Sequence, residues 1–341
     1  SLNGESMLLL YHELGNSTTE LERKYLRQAL EKGIAVEFAL NCPNEGDDIR
    51  SIFSKEANLA EVSAMLSEFS SVPVYLRFAA EFDVWQNLCT PEEFKTAFKY
   101  VSDYFKSRNS NAAMVFSVNQ VSDQSINING YYPGDEYVDW VGISAYSQKY
   151  FQGNSNINDD FTEVVFKTGK NSDPVLALKD IIETYGARKP IMISESGFTA
   201  KSVSTGEDTS EWAMQRMKEF YNYIPMVYPC VKLIAHFDRY IPGEANDFSI
   251  GDKPALAAEY KKLTKGTRFI QNRFGSKVLS SFKEVSDGFC SENILNLYTY
   301  AHIYGSEIAS VSYYSDGVFL AASDKMPFNA AIDLSGFSNG D

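Results

Sequence analysis

The chain has 341 residues, 44% hydrophobic and 22% charged, a composition ordinary for a globular protein that excludes global disorder. Acidic residues outnumber basic ones by 45 to 31, and the resulting charge of −14, with no Lys/Arg-rich run, excludes nucleic acid as a partner. No stretch of 18 or more apolar residues is present to span a membrane, and no charged segment followed by an apolar run marks a signal peptide in this chain.

In chain order, β-rich runs alternate with amphipathic stretches over about 260 residues, the signature of a parallel α/β fold. Strands are predicted at Met7–Glu13, Gly33–Leu40, Val72–Ala80, Ala112–Val118, Val138–Tyr146, Pro190–Ser194 and Val231–Phe237. Helices are predicted between them at Thr19–Lys32, Leu59–Phe69, Pro91–Ser107, Pro174–Tyr185 and Ser210–Val227. Thr90-Pro91-Glu92-Glu93 is a clear helix start, with a cap residue, proline at the first position and acids in the first turn. Seven strands are one short of a (β/α)8 TIM barrel, and the missing one is expected ahead of Met7. The competing doubly wound sheet lacks its Gly-rich phosphate turn after the first strand, so the barrel is preferred.

The pattern changes around Lys261–Thr267. Beyond it, short alternating runs at Ile294–Tyr300, Ala309–Tyr314, Val318–Ala322 and Ala330–Leu334 are separated by turns such as Ser315-Asp316-Gly317. The expected organisation is a barrel over residues 1–264 and a small all-β sandwich over residues 267–341. That second unit is expected to be partial, because a seven-strand sandwich needs about 100 residues.

Two predicted strands end on glutamate: Val74 to Ala80 runs into Glu81, and Pro190 to Ser194 runs into Glu195. Strand C-termini of a parallel barrel meet at its mouth, and paired carboxylates there are the groups that glycosidic hydrolysis needs. Arg77 sits two and four residues from Ala79 and Glu81, so strand alternation turns it into the barrel, where Glu37 and Glu195 are equal candidates for its partner. Tyr11, His12, Asp83, Trp85, Asn119, His236 and Asp238 also fall at or after strand ends. Trp85 is the best sugar-stacking platform among them, while a lone His12 or His236 is more often structural. Ser194 and Ser196 flank Glu195 without a G-x-S-x-G elbow, which leaves serine catalysis unsupported. Cys42, Cys89, Cys230 and Cys290 have no CxxC spacing or nearby His pair, so no metal is expected; Cys42 and Cys89 follow neighbouring strands and could form a disulfide, with unpaired thiols the plainer reading.

Three blocks carry a family resemblance. Pro73–Trp85 resembles the acid/base strand of glycoside hydrolase family 26, the β-mannanase-like enzymes of clan A; Tyr131–Tyr146 is similar to that family's strand 6 block, and Lys189–Gly197 to its nucleophile strand. They occur in the family's order within residues 7–260. The resemblance implies a (β/α)8 barrel, Glu81 as general acid/base and Glu195 as nucleophile, with no cofactor and no metal. It further implies a polysaccharide or oligosaccharide substrate. Places at or just after strand ends make Tyr146, Trp85, His12, Asn119, His236 and Asp83 the candidates to contact it, and strand alternation makes Arg77 and Glu37 structural. Tyr146 ends the strand beside that of Glu195, as a hydrogen-bond donor to it or as a wall aromatic. Location is expected to be secreted or cell-surface, with any attachment made by regions outside this chain.

The sequence departs from the family where Ala80 stands in place of the common His before the acid/base, and where Phe82-Asp83 replaces Met-Asn. An acid at 83 would raise the pKa of Glu81 if the two are close. These departures keep a second reading open, a non-catalytic carbohydrate-binding or adhesion protein. The tail, with Ala309–Gly317, Lys325-Met326-Pro327-Phe328 and Asp333-Leu334-Ser335, resembles a bacterial immunoglobulin-like module.

Overall fold

Local signals set the element boundaries. Thr19 and Thr90 each accept a hydrogen bond from the backbone N–H three residues on, and Glu22 and Glu93 reach back to the cap backbone, so two helices begin on complete capping boxes. Gly33 ends the first of them at φ +63°, a left-handed conformation that costs glycine nothing. The computed structural model describes residues 4–42, 49–84, 89–120, 127–149, 173–265, 269, 293–303 and 307–337. In chain order these hold β1 (Met7–Glu13), α1 (Glu20–Lys32), β2 (Ala35–Asn41), α2 (Glu56–Glu68), β3 (Val74–Phe78), α3 (Pro91–Lys106) and β4 (Ala112–Asn119). Then follow α4 (Ile128–Tyr131), β5 (Trp140–Ser147), α5 (Pro174–Tyr185), β6 (Ile191–Phe198), α6 (Ser210–Val227), β7 (Val231–Ile234) and α7 (Pro254–Thr264).

The seven strands form one parallel sheet in strict chain order, with β1 and β7 at its ends. On a flat sheet β3 and β6 would stand about 14 Å apart at the usual strand spacing. Here Arg77 on β3 hydrogen-bonds Glu195 on β6, and Tyr11 on β1 also reaches that carboxylate. The sheet is therefore curled, as in a (β/α)8 barrel. Its outer face packs on the helices through an aromatic layer in which Phe82, Phe94, Phe98, Phe116 and Tyr131 meet ring to ring at 4.4 to 6.3 Å. Much of the chain's aromatic content thus serves the core.

The tail holds β8 (Ile294–Tyr298), β9 (Val311–Ser315), β10 (Val318–Ser323) and β11 (Asn329–Asp333), paired antiparallel as β8 with β11 and β9 with β10. It is joined to the barrel at Asp173, whose carboxylate caps α5 through the Val175 and Leu176 N–H groups and accepts the Tyr300 hydroxyl. The Tyr300 ring packs edge-on against Tyr223 of α6, 5.1 Å between centroids. Among the described residues, no helix is long and apolar enough to cross a membrane.

Candidate active site

Two local irregularities aim the two glutamates. β3 ends at Phe78, shorter than predicted, because the chain turns through left-handed backbone at Ala79 (φ +47°) and Glu81 (φ +55°). Such conformations cost non-glycine residues about 1–2 kcal/mol each and persist where the surroundings fix them. Here the Ala79 N–H donates to Leu40 O at 3.1 Å and the Glu81 N–H to Ser117 O at 3.1 Å. Strand alternation therefore does not carry Glu81 inward as expected; the turn does. On β6 the register slips by one: Ile143 pairs with Ile193 and Ser144 with Glu195, leaving Ser194 as the extra residue. The bulge lets two neighbours face inward, Ser194 onto Ser117 (2.9 Å between hydroxyls) and Glu195 onto Arg77.

Arg77 is the hub. Its side chain is 1% exposed and its guanidinium donates to Glu195 Oε1, to Glu81 Oε1 at 3.4 Å, to Ser117 Oγ at 2.9 Å and to Ser144 Oγ at 2.8 Å. Glu37 lies 3.8 Å from Nε. Both partners weighed from the sequence are therefore in place, Glu195 by a direct hydrogen bond and Glu37 at longer range. Small residues make room for the fork: a Cβ on Gly142 would stand 2.9 Å from Ser117 Oγ and 3.0 Å from Ser194 Oγ. Tyr146 donates to Glu195 Oε2 at 2.6 Å, taking the donor role of the two readings given it. Tyr11, 40% exposed as a residue, brings its hydroxyl to the same carboxylate. Burial alone would push the Glu195 carboxyl up; the Arg77 charge and the Tyr146, Arg77 and Tyr11 hydrogen bonds more than offset it and hold the group below the usual glutamate range.

The other sequence candidates divide. Asn119 ends β4 and gives its N–H to both Asp83 oxygens, at 3.0 and 3.1 Å. Asp83 is buried and committed to that bond, so it braces the turn rather than meeting sugar; burial pushes it up to about 7, against the pull of the Asn119 N–H. Glu81 and Asp83 are close enough to interact. His12 is also redirected: it faces the helices, with Nδ1 2.7 Å from Glu22 and its ring stacked on Phe38. His236 lies between Phe198 and Tyr260, at 5.8 and 5.2 Å, and burial lowers it to about 4, which keeps it neutral. His236 lies two residues beyond the end of β7 at Ile234. Alternation explains His12, since residues flanking an inward position point outward. By the same parity Tyr11, not His12, is the inward residue of β1; that spacing was the available signal for it. Trp85 lies outside the described residues. Among the described residues, no group of His, Cys, Asp and Glu side chains is arranged to hold a metal.

A sequence profile described as glycosyl hydrolase family 26 matches residues 33–222, more than half of the chain and a span that includes both glutamates, Arg77 and Tyr146. The chain belongs to glycosyl hydrolase family 26. The family 26 barrel is similar in fold to a family 26 β-mannanase from Bacteroides ovatus, with TM-score 0.54 and 13% identity over 82% of this chain and 85% of that one. It is likewise similar to a family 26 protein from a Muricauda species, with TM-score 0.55 and 17% identity over 77% and 79% of the two chains. Among curated proteins, a beta-1,3-xylanase from a Vibrio species is 30% identical over 137 residues. That stretch is 39% of this chain and 28% of the xylanase, so only a minor part of the relative's length is matched.

Proposed function

We propose that this family 26 chain is a retaining, endo-acting glycoside hydrolase of β-linked polysaccharides, mannan-like or mixed β-glucan, with Glu81 as acid/base and Glu195 as nucleophile. The observation that carries this reading is one buried guanidinium touching both carboxyls, while the Tyr146 and Tyr11 hydroxyls also donate to Glu195 and help hold it ionised. Retention needs the two carboxyls about 5–5.5 Å apart, and a compact planar fork bridging them favours such closeness. In the first step a Glu195 oxygen attacks the anomeric carbon, the glycosidic C–O bond breaks and Glu81 gives its proton to the departing oxygen. In the second, Glu81 takes a proton from water, the water oxygen bonds to the anomeric carbon and Glu195 leaves as carboxylate. A polymeric substrate of this class favours a secreted or cell-surface location.

Support for the substrate class comes from relatives named as a β-mannanase and a beta-1,3-xylanase. The Arg77–Glu81 contact favours a second reading, a carbohydrate-binding protein whose acid/base is tied down. At 3.4 Å it is longer than the usual 2.7–2.9 Å of a strong charge-assisted bond, which leaves the enzyme ahead. Hydrolysis of β-mannan, mixed-linkage β-glucan, β-1,4-xylan and β-1,3-xylan, wild type beside Glu195→Ala, decides between them. Turnover that disappears in the variant supports the enzyme; binding without turnover on every polymer supports the binder.

A further inference from the structure

Glu37 is the group in the barrel that this mechanism leaves unused. It sits on β2 with 0% exposure, and among the described residues neither of its carboxyl oxygens has a hydrogen-bond partner. An ionised carboxylate so placed would be costly unless paired. The charge that could pair it is Arg77, yet the Arg77 Nε donates to Ser117 instead, 2.9 Å away, and leaves Glu37 at 3.8 Å. The groups facing it are Tyr11 from β1, Tyr75 and Arg77 from β3, and Glu195 from β6. Three carboxyls thus surround one cation, and the geometry commits that cation to Glu195 and Glu81.

We propose that Glu37 is a positioning residue that stays protonated through turnover, so that the whole Arg77 charge serves Glu195 and Glu81, and that its ionisation withdraws this charge. The inference rests on Glu195 and Glu81 having the roles given above. Its consequence is greatest in the second chemical step, where Glu195 must depart as a carboxylate and Arg77 is its cationic partner. Burial raises the Glu37 carboxyl to about 8, with Arg77 opposing and Glu195 adding to the rise, which agrees with a proton retained at neutral pH.

The kinetic test uses an aryl glycoside whose good leaving group makes deglycosylation rate-limiting. Glu81 then works as a base, and its ionisation cannot slow the step as pH rises. A group half-ionised near pH 8 keeps its proton in roughly a tenth of molecules at about pH 9. Wild-type kcat is therefore expected to fall roughly tenfold between about pH 7 and 9, and the isosteric Glu37→Gln variant to lose that fall. An equal fall in the variant overturns the proposal. Carboxyl carbon NMR of the wild-type protein, with the Glu37 signal assigned by its loss in Glu37→Gln, requires no turnover. The Glu37 signal is expected to titrate far above the ordinary carboxylate range and the Glu195 signal to respond in the same pH interval. Titration of Glu37 in the ordinary range, or a Glu195 signal indifferent to it, overturns the proposal whether or not a substrate is found. Normal titration with intact polymer hydrolysis refutes the role of Glu37 alone; absence of hydrolysis with the coupled titration refutes the enzyme reading alone.

Discussion

Removing the Tyr146 hydroxyl tests the electrostatics of the Glu195 carboxylate most directly. In Tyr146→Phe the ring keeps its contacts with Phe237 and Phe248, at 6.1 and 4.8 Å between centroids, so the change is confined to one hydrogen bond. That bond is 2.6 Å long and ends on a carboxylate held ionised, and bonds to charged groups contribute about 1.5–3 kcal/mol. At about 1.4 kcal/mol per pKa unit, its loss should raise the Glu195 pKa by roughly one to two units. Arg77 and Tyr11 remain, so Glu195 still ionises below neutrality. The expected result is an acid limb of kcat/KM displaced upward by about one to two pH units, with kcat at neutral pH reduced by roughly 10- to 100-fold because the departing carboxylate is less stabilised. The assay is a pH–rate profile of both proteins on one soluble substrate, with circular dichroism to confirm the fold. An acid limb that does not move, with only KM altered, would make Tyr146 a wall aromatic and refute the argument.

Three other outcomes are expected. Gly142→Ala places a Cβ 2.9 Å from Ser117 Oγ and 3.0 Å from Ser194 Oγ, and overpacking of this kind costs about 1–3 kcal/mol, read as a lower denaturation midpoint in urea. His12→Ala removes the partner of Glu22 Oε1, one of the groups that with Thr19 hold this carboxyl below its usual pKa, costing about 1–3 kcal/mol in urea unfolding while leaving KM for polymer unchanged. For Asp83 the folded pKa of about 7 lies above the unfolded value of about 3.9. Between those values the folded state keeps a proton that the unfolded state has lost, so this group's contribution to stability declines as pH rises and levels off above about 7. Asp83→Asn, which cannot ionise, should lose that decline; identical pH slopes in thermal melts of the two proteins would contradict it.

What could be read from the sequence followed periodicity. The parallel strands and the helices that start at Pro91 and Pro174 come from local patterns that the tertiary structure leaves in place. Glu81, by contrast, lies beyond the end of its strand at Phe78, and Glu195 lies inside a strand that runs on to Phe198. Regular alternation was less sufficient where the backbone broke its own period. Glu81 reaches Arg77 through a left-handed turn, and Glu195 turns inward through the extra residue at Ser194; neither device has a glycine or proline to announce it. His12 and His236 drew attention by residue type, yet parity along β1 consigns His12 to the helix side, and His236, past the end of β7, packs on Phe198 and Tyr260. The Ser117–Gly142–Ser194 layer was invisible for a different reason, since small residues gain meaning only from the bulk of the guanidinium they accommodate.

Asp173 divides its carboxylate between two parts of the molecule, one oxygen capping α5 and the other receiving Tyr300 from the tail. The tail is thereby a mechanical attachment as well as an appendage: tension applied to it is delivered to the first turn of a barrel helix. Stripping away the tail would expose the cap and withdraw a ring from Tyr223, so a barrel cut free at the linker would carry a loosened corner. Anyone shortening this chain to isolate the barrel would do well to replace what Tyr300 supplies.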